Sequence, residues 1–216
     1  IILDGFENRH ILPPVYLRNI ARFVRRGGGL FLIAGPEFTG PNSLQDTAVG
    51  DILPPHVPAS PPDLSPTEAA PGILLRRFRP QLTDEGRRHP VTAELPGAPA
   101  PHASPGADTE IANEWGPWYR ARRPDDAHGQ VLMSGPDASP LLVLDDVERG
   151  RVALLLSDQI WLWSRGELGG GPQAELIRRI SHWLMKEPDL EEERLEAHIA
   201  EGELTVTRHS VSDASS

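Results

Sequence analysis

The first 36 residues carry the pattern that most constrains how this chain can fold. Residues 1–3, an apolar run rich in β-branched side chains, end at Asp4-Gly5, as a buried strand ends at a turn. A helical pattern then runs from the two prolines at 13–14, which suit a helix N-terminus, to the glycine triplet at 27–29. Residues 30–33 form a second apolar strand. The segment predicts a strand–helix–strand unit with a right-handed crossover.

The second half of the chain contains further regular patterns. Residues 130–134 and 141–145 are strand-like, and residues 151–157 have the continuous apolar character of a buried strand. Glu148-Arg149-Gly150 predicts a turn, so the last two strands should form a hairpin. From Pro172 to Lys186 apolar residues recur at helical spacing. These alternating strands and helices predict an α/β fold.

The predicted first helix has a mostly apolar side and an arginine-rich side. Val15, Ile20, Phe23 and Val24 fall roughly on one helical face, with Leu17 and Ala21 at its margin, and we expect this face to be the buried one.

Composition excludes several classes of function. The chain has 31 Asp and Glu against 21 Lys and Arg, a net charge of −10, which argues against nucleic acid as a partner. No apolar run approaches the roughly 20 residues that cross a bilayer, so we expect no direct membrane insertion. Cysteine is absent, which removes disulfides, thiolate metal sites and cysteine nucleophiles together.

Prolines and charges suggest how the chain is divided. Residues 54–71, with seven prolines, and residues 94–110 should be long exposed loops within one α/β domain that spans residues 1–188. Residues 189–203 are acidic and predict a linker helix, and residues 204–216 alternate like the start of a following β-rich domain or tail. Because the sequence begins inside a strand, we expect it to be a piece of a longer protein.

Three carboxylates follow predicted strands and so form a candidate site. Asp4, Glu37 and Asp158 each come just after a strand, and parallel strands carry their ligand sites beyond their carboxyl ends. Together with His89 they could serve as acid–base or metal groups of an enzyme. However, carboxylates also cap turns, and the chain has no His-x-His or His-Glu-x-x-His spacing. We therefore expect no metal and no cofactor.

Two tryptophans follow the strand at 151–157. If residues 158–163 are extended, Trp161 and Trp163 point to the same side. They would then either cover the sheet edge by packing or form an aromatic surface beside Asp158 for a sugar, a peptide or a neighbouring domain. We predict that Trp161 is buried and Trp163 partly exposed.

Three stretches carry a resemblance to a known family: GGGLFLIAGPEFTG at 27–40, GRVALLLSDQIWLWSRG at 150–166 and GGPQAELIRRISHWLMKEPDLEEE at 170–193. They resemble the class I glutamine amidotransferase-like superfamily, and in particular the amidotransferase-like module of large bacterial membrane-anchored proteins. The resemblance implies a flavodoxin-like open, mostly parallel sheet with helices on both faces. It also implies a soluble domain whose partners are other domains of the same polypeptide and a partner protein.

The family's catalytic residues have no counterpart in this sequence. Active members carry a cysteine nucleophile on the turn after the first crossover and a histidine base after a late strand. The resemblance puts Ala34, or Gly35 if the register slips by one, in the nucleophile place, and Asp158 or Gln159 in the base place. None of these side chains can perform those roles. The resemblance therefore implies a catalytically inactive module, a pseudoenzyme.

Three functional hypotheses remain open. In the first, the chain is a non-catalytic binding or scaffold module, with Asp4, Glu37, Asp158, Trp161 and Trp163 as candidate binding residues. The alternative is a hydrolase or another enzyme that uses carboxylates at the C-terminal edge of the sheet. In the third, the domain has no function separable from the rest of its protein.

Overall fold

The computed structural model describes residues 1–9, 11–59, 72–98, 115–190, 193–200 and 203–210. Most of the two predicted proline-rich loops, at 54–71 and 94–110, lies outside these residues. The helices are α1 (Pro14–Arg25), α2 (Asp84–Arg88), α3 (Trp161–Ser164) and α4 (Gln173–Leu184). The strands are β1 (Ile2–Asp4), β2 (Gly29–Ile33), β3 (Pro55–His56), β4 (Ile73–Phe78), β5 (Gln81–Leu82), β6 (Trp118–Arg122), β7 (Asp126–Ala127), β8 (Gln130–Ser134), β9 (Pro140–Val147), β10 (Gly150–Leu155), β11 (Glu193–Ala200) and β12 (Glu203–Ser210).

The central sheet is mixed and has the order β1-β2-β10-β9-β8-β5. Strands β1, β2 and β10 are parallel, whereas β9, β8 and β5 join by antiparallel pairing. The expectation of a mostly parallel sheet therefore holds for one half alone. The reason lies in the predicted hairpin, which is confirmed: the turn at Glu148-Arg149 joins β9 to β10, and a tight turn can join only antiparallel strands.

The strand–helix–strand unit at the start of the chain is confirmed. Helix α1 begins directly after Pro13 and is followed by Gly27, whose φ of +113° is the left-handed conformation that glycine tolerates. One detail is wrong: β1 is not a buried strand. It lies at the edge of the sheet, where it pairs with β2, and the side chain of Ile2 is exposed.

The buried face of α1 is shifted from the predicted face towards its margin. Leu17, Ala21 and Val24 are buried, whereas Val15 and Phe23 are about half exposed. Positions 17, 21 and 24 are separated by four and three residues, so they form a stripe along one side of the helix. This narrow stripe packs against the sheet, so Val24 is buried as predicted, whereas Val15 and Phe23 remain at the surface.

The side chains of β2 alternate between two cores. Leu30 and Leu32 belong to the cluster that contains α1, and Phe31 and Ile33 belong to the cluster that contains α4. The predicted helix at 172–186 is thus confirmed, and its buried residues are Leu176, Ile180, Trp183 and Leu184. Two smaller sheets pair β4 with β6 and β3 with β7.

The predicted linker helix at 189–203 is wrong over most of its length. Residues 193–200 form β11, which pairs antiparallel with β12 in a two-stranded sheet of their own. Leu195, Ala197 and Ile199 explain this outcome, because apolar residues at every second position favour a strand despite the acidic composition. The expectation that the segment from Leu204 lies outside the main sheet is confirmed.

A charged cluster on α4 should make the stability of the protein depend on pH. Glu175 accepts hydrogen bonds from Arg178 and Arg179, and Arg179 also donates to the carbonyl oxygen of Ala93 at 2.6 Å. The hydrogen bonds from Arg178 and Arg179 lower the pKa of Glu175 from 4.5 to about 2. The ionised form is therefore preferred in the folded state, and its stabilisation is complete above pH 4.5.

We expect Glu175→Gln to lower the unfolding free energy at pH 7 by up to about 1 kcal/mol, since the cluster is near the surface. The difference from the parent protein should shrink as the pH falls from about 4.5 towards 2, where Glu175 becomes protonated in both states. Urea unfolding at several pH values measures it. A difference that stays constant through this range would contradict the assignment.

Candidate functional site

The candidate site lies where β2 and β10 end side by side. Ile33 is paired with Leu155, and the amide of Ala34 donates to the carbonyl oxygen of Leu155 at 2.8 Å. A short 3-10 turn, Pro36–Thr39, follows β2, and Ser157 follows β10. The two parallel strands therefore bring together the segments that the resemblance to amidotransferases singles out, as the topology of parallel strands requires.

The carboxylate of Glu37 folds back onto the turn after β2. Its Oε1 accepts a hydrogen bond from the amide of Gly35 at 2.8 Å. A Cβ on residue 35 would overlap Oε2 of the same carboxylate, so a side chain at this position would displace the carboxylate from the turn. Burial raises the pKa of Glu37, the backbone hydrogen bonds partly oppose that rise, and the nearby charge of Asp158 adds to it.

Asp158 is held by Arg120 from the neighbouring strand β6. The guanidinium Nε donates to Oδ1 at 2.8 Å, and a second nitrogen contacts Oδ2, which makes a bidentate ion pair. The pKa of Arg120 is raised, chiefly by this hydrogen bond. Ser157 Oγ donates to the carbonyl oxygen of Arg120 at 2.8 Å, and the amide of Tyr119 donates to Gln159 Oε1 at 3.2 Å. The segment after β10 is thus attached firmly to β6.

A second arginine lies deeper in the same site. Arg122 is only 2% exposed, its amide donates to the carbonyl oxygen of Leu156 at 2.7 Å, and its Nη1 donates to Thr39 Oγ1 at 3.4 Å. Burial lowers the pKa of this guanidinium, while the charges of Asp158 and Glu37 oppose that shift. Two carboxylates and two guanidiniums thus compensate one another at this edge of the sheet.

The predicted site residues do not all converge. Glu37 and Asp158 are close enough for the charge of Asp158 to raise the pKa of Glu37. Asp4 is exposed at the end of the edge strand and has no ion pair or side-chain hydrogen bond with the residues described. His89 is fully buried, and the centroid of its ring lies 6.3 Å from that of Trp183 on α4. It therefore packs in the core and does not belong to the site at the sheet edge.

Sequence patterns did not reveal either arginine of the site. Arg120 and Arg122 alternate with Tyr119 and Ala121 in β6, and this alternation is a sequence pattern that could have predicted a strand with both arginines on one face. The aromatic and turn-forming residues at 115–119 favoured a turn instead and so obscured the strand pattern. Among the residues that the structure describes, no group of three His, Asp or Glu side chains could hold a metal ion.

The tryptophans do not lie as predicted. Residues 161–164 form the helical turn α3, and residues two apart on a helix point about 200° apart, so the two indoles cannot share a side. Trp163 is 3% exposed and packs against Trp115 and Trp118, whereas Trp161 is 46% exposed. The prediction of burial for Trp161 and exposure for Trp163 is therefore wrong. Of the two, Trp161 alone can contact a ligand.

Comparison with known proteins gives a fold but no family. The chain matches no protein-family model and no curated protein. Its structure is similar to that of cytoplasmic protein STM3548 from Salmonella typhimurium, with a TM-score of 0.59 at 16% identity, over 85% of this chain and 70% of that one. Cytoplasmic protein STM1381 from Salmonella typhimurium LT2 is similar over 85% and 71%, with a TM-score of 0.59 at 21% identity. At these identities the likeness concerns the fold alone.

None of the helices in the described part of the chain combines the length and the apolar character needed to cross a bilayer.

Proposed function

We propose that this chain is a non-catalytic glutamine amidotransferase-like module that acts as a binding or scaffold domain of a larger bacterial membrane-associated protein. One observation carries the proposal: the carboxylate of Glu37 accepts a hydrogen bond from the backbone amide of Gly35, on the turn where an active relative would hold its nucleophile. Acyl-transfer enzymes keep such backbone N–H groups free for the oxyanion that forms during the reaction. In this chain the N–H group of Gly35 already donates its hydrogen bond to Glu37.

The other positions of the site support the same conclusion. Ala34 offers no nucleophile, and the chain contains no cysteine that could replace it. The residue in the base place, Asp158, is held in a bidentate ion pair with Arg120. Both oxygens of this carboxylate are therefore already engaged by the protein. The site is suited to rigidity rather than to proton transfer.

The proposal extends to the fold and to the cellular setting. We infer a flavodoxin-like ancestry, supported by the β1–α1–β2 unit, the parallel strand β10 and the packing of α1 and α4 against alternate side chains of β2. The antiparallel strands β9, β8 and β5 are then an extension of that sheet. The resemblance of residues 1–190 supports a soluble domain whose neighbours belong to a membrane-anchored polypeptide.

A second candidate function rests on the raised pKa of Glu37 beside Asp158. A carboxyl group with a raised pKa beside a second carboxyl group is the basis of acid–base catalysis in many hydrolases. Both groups are engaged by the protein, however: Glu37 by the Gly35 amide and Asp158 by Arg120. A hydrolase would have to release at least one of them during turnover, which makes this the weaker proposal.

The proposed inactivity is tested by glutamine hydrolysis. We expect the purified protein to release no ammonia from glutamine above a heat-inactivated control. The Ala34→Cys variant should also be inactive, because the base is still absent and Glu37 still covers the turn. Release of ammonia by the parent protein would contradict the proposal, and rescue by Ala34→Cys alone would show that the site is less degenerate than its residues suggest.

A further inference from the structure

A groove lies at the opposite end of β2 from the candidate site. It has a volume of about 660 Å³ and runs between the C-terminal ends of α1 and α4, above the glycine triplet that precedes β2. The lining residues used below are Arg22, Phe23, Arg26, Gly28, Leu184 and Met185. None of them belongs to the sheet-edge site.

The floor of the groove is shaped by backbone without side chains. A Cβ on residue 28 would overlap the ring of Phe23, and a Cβ on residue 29 would lie 2.8 Å from Leu184 Cβ. The two helices therefore approach this backbone as closely as glycine permits. Above the floor, Phe23 is 47% exposed and Met185 is 62% exposed. The groove thus has apolar walls that face solvent.

The rim of the groove is positively charged within a strongly acidic protein. Helix α1 contains three arginines and no Asp or Glu, and Arg26 follows it directly, although the whole chain has a net charge of −10. Arg25 is paired with Glu148 at 3.4 Å. Arg22 contacts Asn19 at 3.5 Å, and among the described residues no carboxylate lies within ion-pair distance of Arg22 or Arg26.

The other charged groups near the groove do not neutralise this rim. Lys186 adds positive charge and donates to the carbonyl oxygen of Arg149 at 2.6 Å. Glu187 is paired with His182 on α4. An apolar cleft is thus bordered by two arginines whose charge the described part of the protein leaves uncompensated.

We propose that this groove binds an acidic peptide segment of a partner protein. An apolar side chain of the segment would insert between Phe23 and Met185, and its carboxylates would pair with Arg22 and Arg26. Charge complementarity selects this occupant, because a short segment can place its carboxylates on Arg22 and Arg26 alone. A nucleic acid or an anionic membrane is large enough to face the net charge of −10 of the whole protein as well. The inference does not depend on the function of the sheet edge, since the two regions share no residue.

The test measures binding of a fluorescein-labelled peptide of alternating Glu and Leu, about a dozen residues long, by fluorescence anisotropy. The parent protein should bind it, and binding should weaken as ionic strength rises from about 0.05 to about 0.5 M. The double variant Arg22→Glu/Arg26→Glu should weaken binding at least about tenfold. The matched control Arg18→Glu, on the same helix but outside the groove, should change it less than about twofold.

Further arms separate the possible explanations. A peptide with Gln in place of Glu should bind at least about tenfold more weakly, and Met185→Gln should also reduce binding of the acidic peptide. Circular dichroism checks that each variant is folded as the parent is. Equal losses for Arg18→Glu and the double variant would overturn the proposal, as would an unchanged affinity of the double variant. Binding of the protein to phosphatidylserine vesicles that is lost in the Arg22→Glu/Arg26→Glu variant would also overturn the proposal, because the groove would then bind a membrane surface instead of a peptide.

Discussion

Replacement of Trp163 by alanine should lower the unfolding free energy by about 3–5 kcal/mol, the usual cost of truncating a buried tryptophan. The ring centroid of Trp163 lies 5.1 Å from that of Trp115 and 4.8 Å from that of Trp118. Its Nε1 donates to the carbonyl oxygen of Gly116 at 2.9 Å. The substitution would therefore leave a large cavity inside an aromatic cluster and a buried carbonyl oxygen without its donor.

The neighbouring Trp161 provides the matched control. Trp161 is 46% exposed, and the guanidinium of Arg165 lies over its ring, 5.8 Å from the centroid. Trp161→Ala should therefore cost less than about 1 kcal/mol. Urea unfolding followed by circular dichroism compares the two variants, because it does not depend on tryptophan fluorescence. Equal costs for the two substitutions would contradict the burial of Trp163 and the exposure of Trp161.

The substitution Gly150→Ala should lower the unfolding free energy nearly as much as Trp163→Ala does. A Cβ on this residue would overlap the carbonyl oxygen of Val24 and lie 2.5 Å from that of Gly28. Both oxygens belong to backbone at the end of α1 and the start of β2, so neither can move without shifting an entire element. We expect Gly150→Ala to cost about 3 kcal/mol or more, because it overpacks a site with no flexible neighbour.

Gly135→Ala is the control for this substitution. A Cβ there would lie 3.4 Å from the ring of Phe78, an ordinary contact, and the φ of Gly135 is −104°. We expect a change of no more than about 1 kcal/mol, in the stabilising direction, since alanine restricts the unfolded chain. Thermal unfolding of the pair measures both effects. A Gly150→Ala variant that melts with the parent would show that α1 is not packed so closely on β10.

Much of this protein follows from local sequence patterns alone. The unit β1–α1–β2, the hairpin between β9 and β10 and helix α4 all appear where apolar periodicity, proline and glycine predict them. The period of an element and the conformational limits of its end residues are local properties, so neighbouring residues suffice to determine them. The absence of cysteine is also a property of the sequence, and it removes thiol chemistry whatever the fold.

The tertiary structure decided what depends on contacts between distant segments. Packing on β2 and β10 selected Leu17, Ala21 and Val24 as the buried stripe of α1 and left Val15 and Phe23 at the surface. The site arginines Arg120 and Arg122 reach Asp158 and Thr39 because β6 runs beside the ends of β2 and β10. A sequence pattern cannot reveal such a partner, because the contact spans dozens of residues and its energy arises only once both segments are buried together.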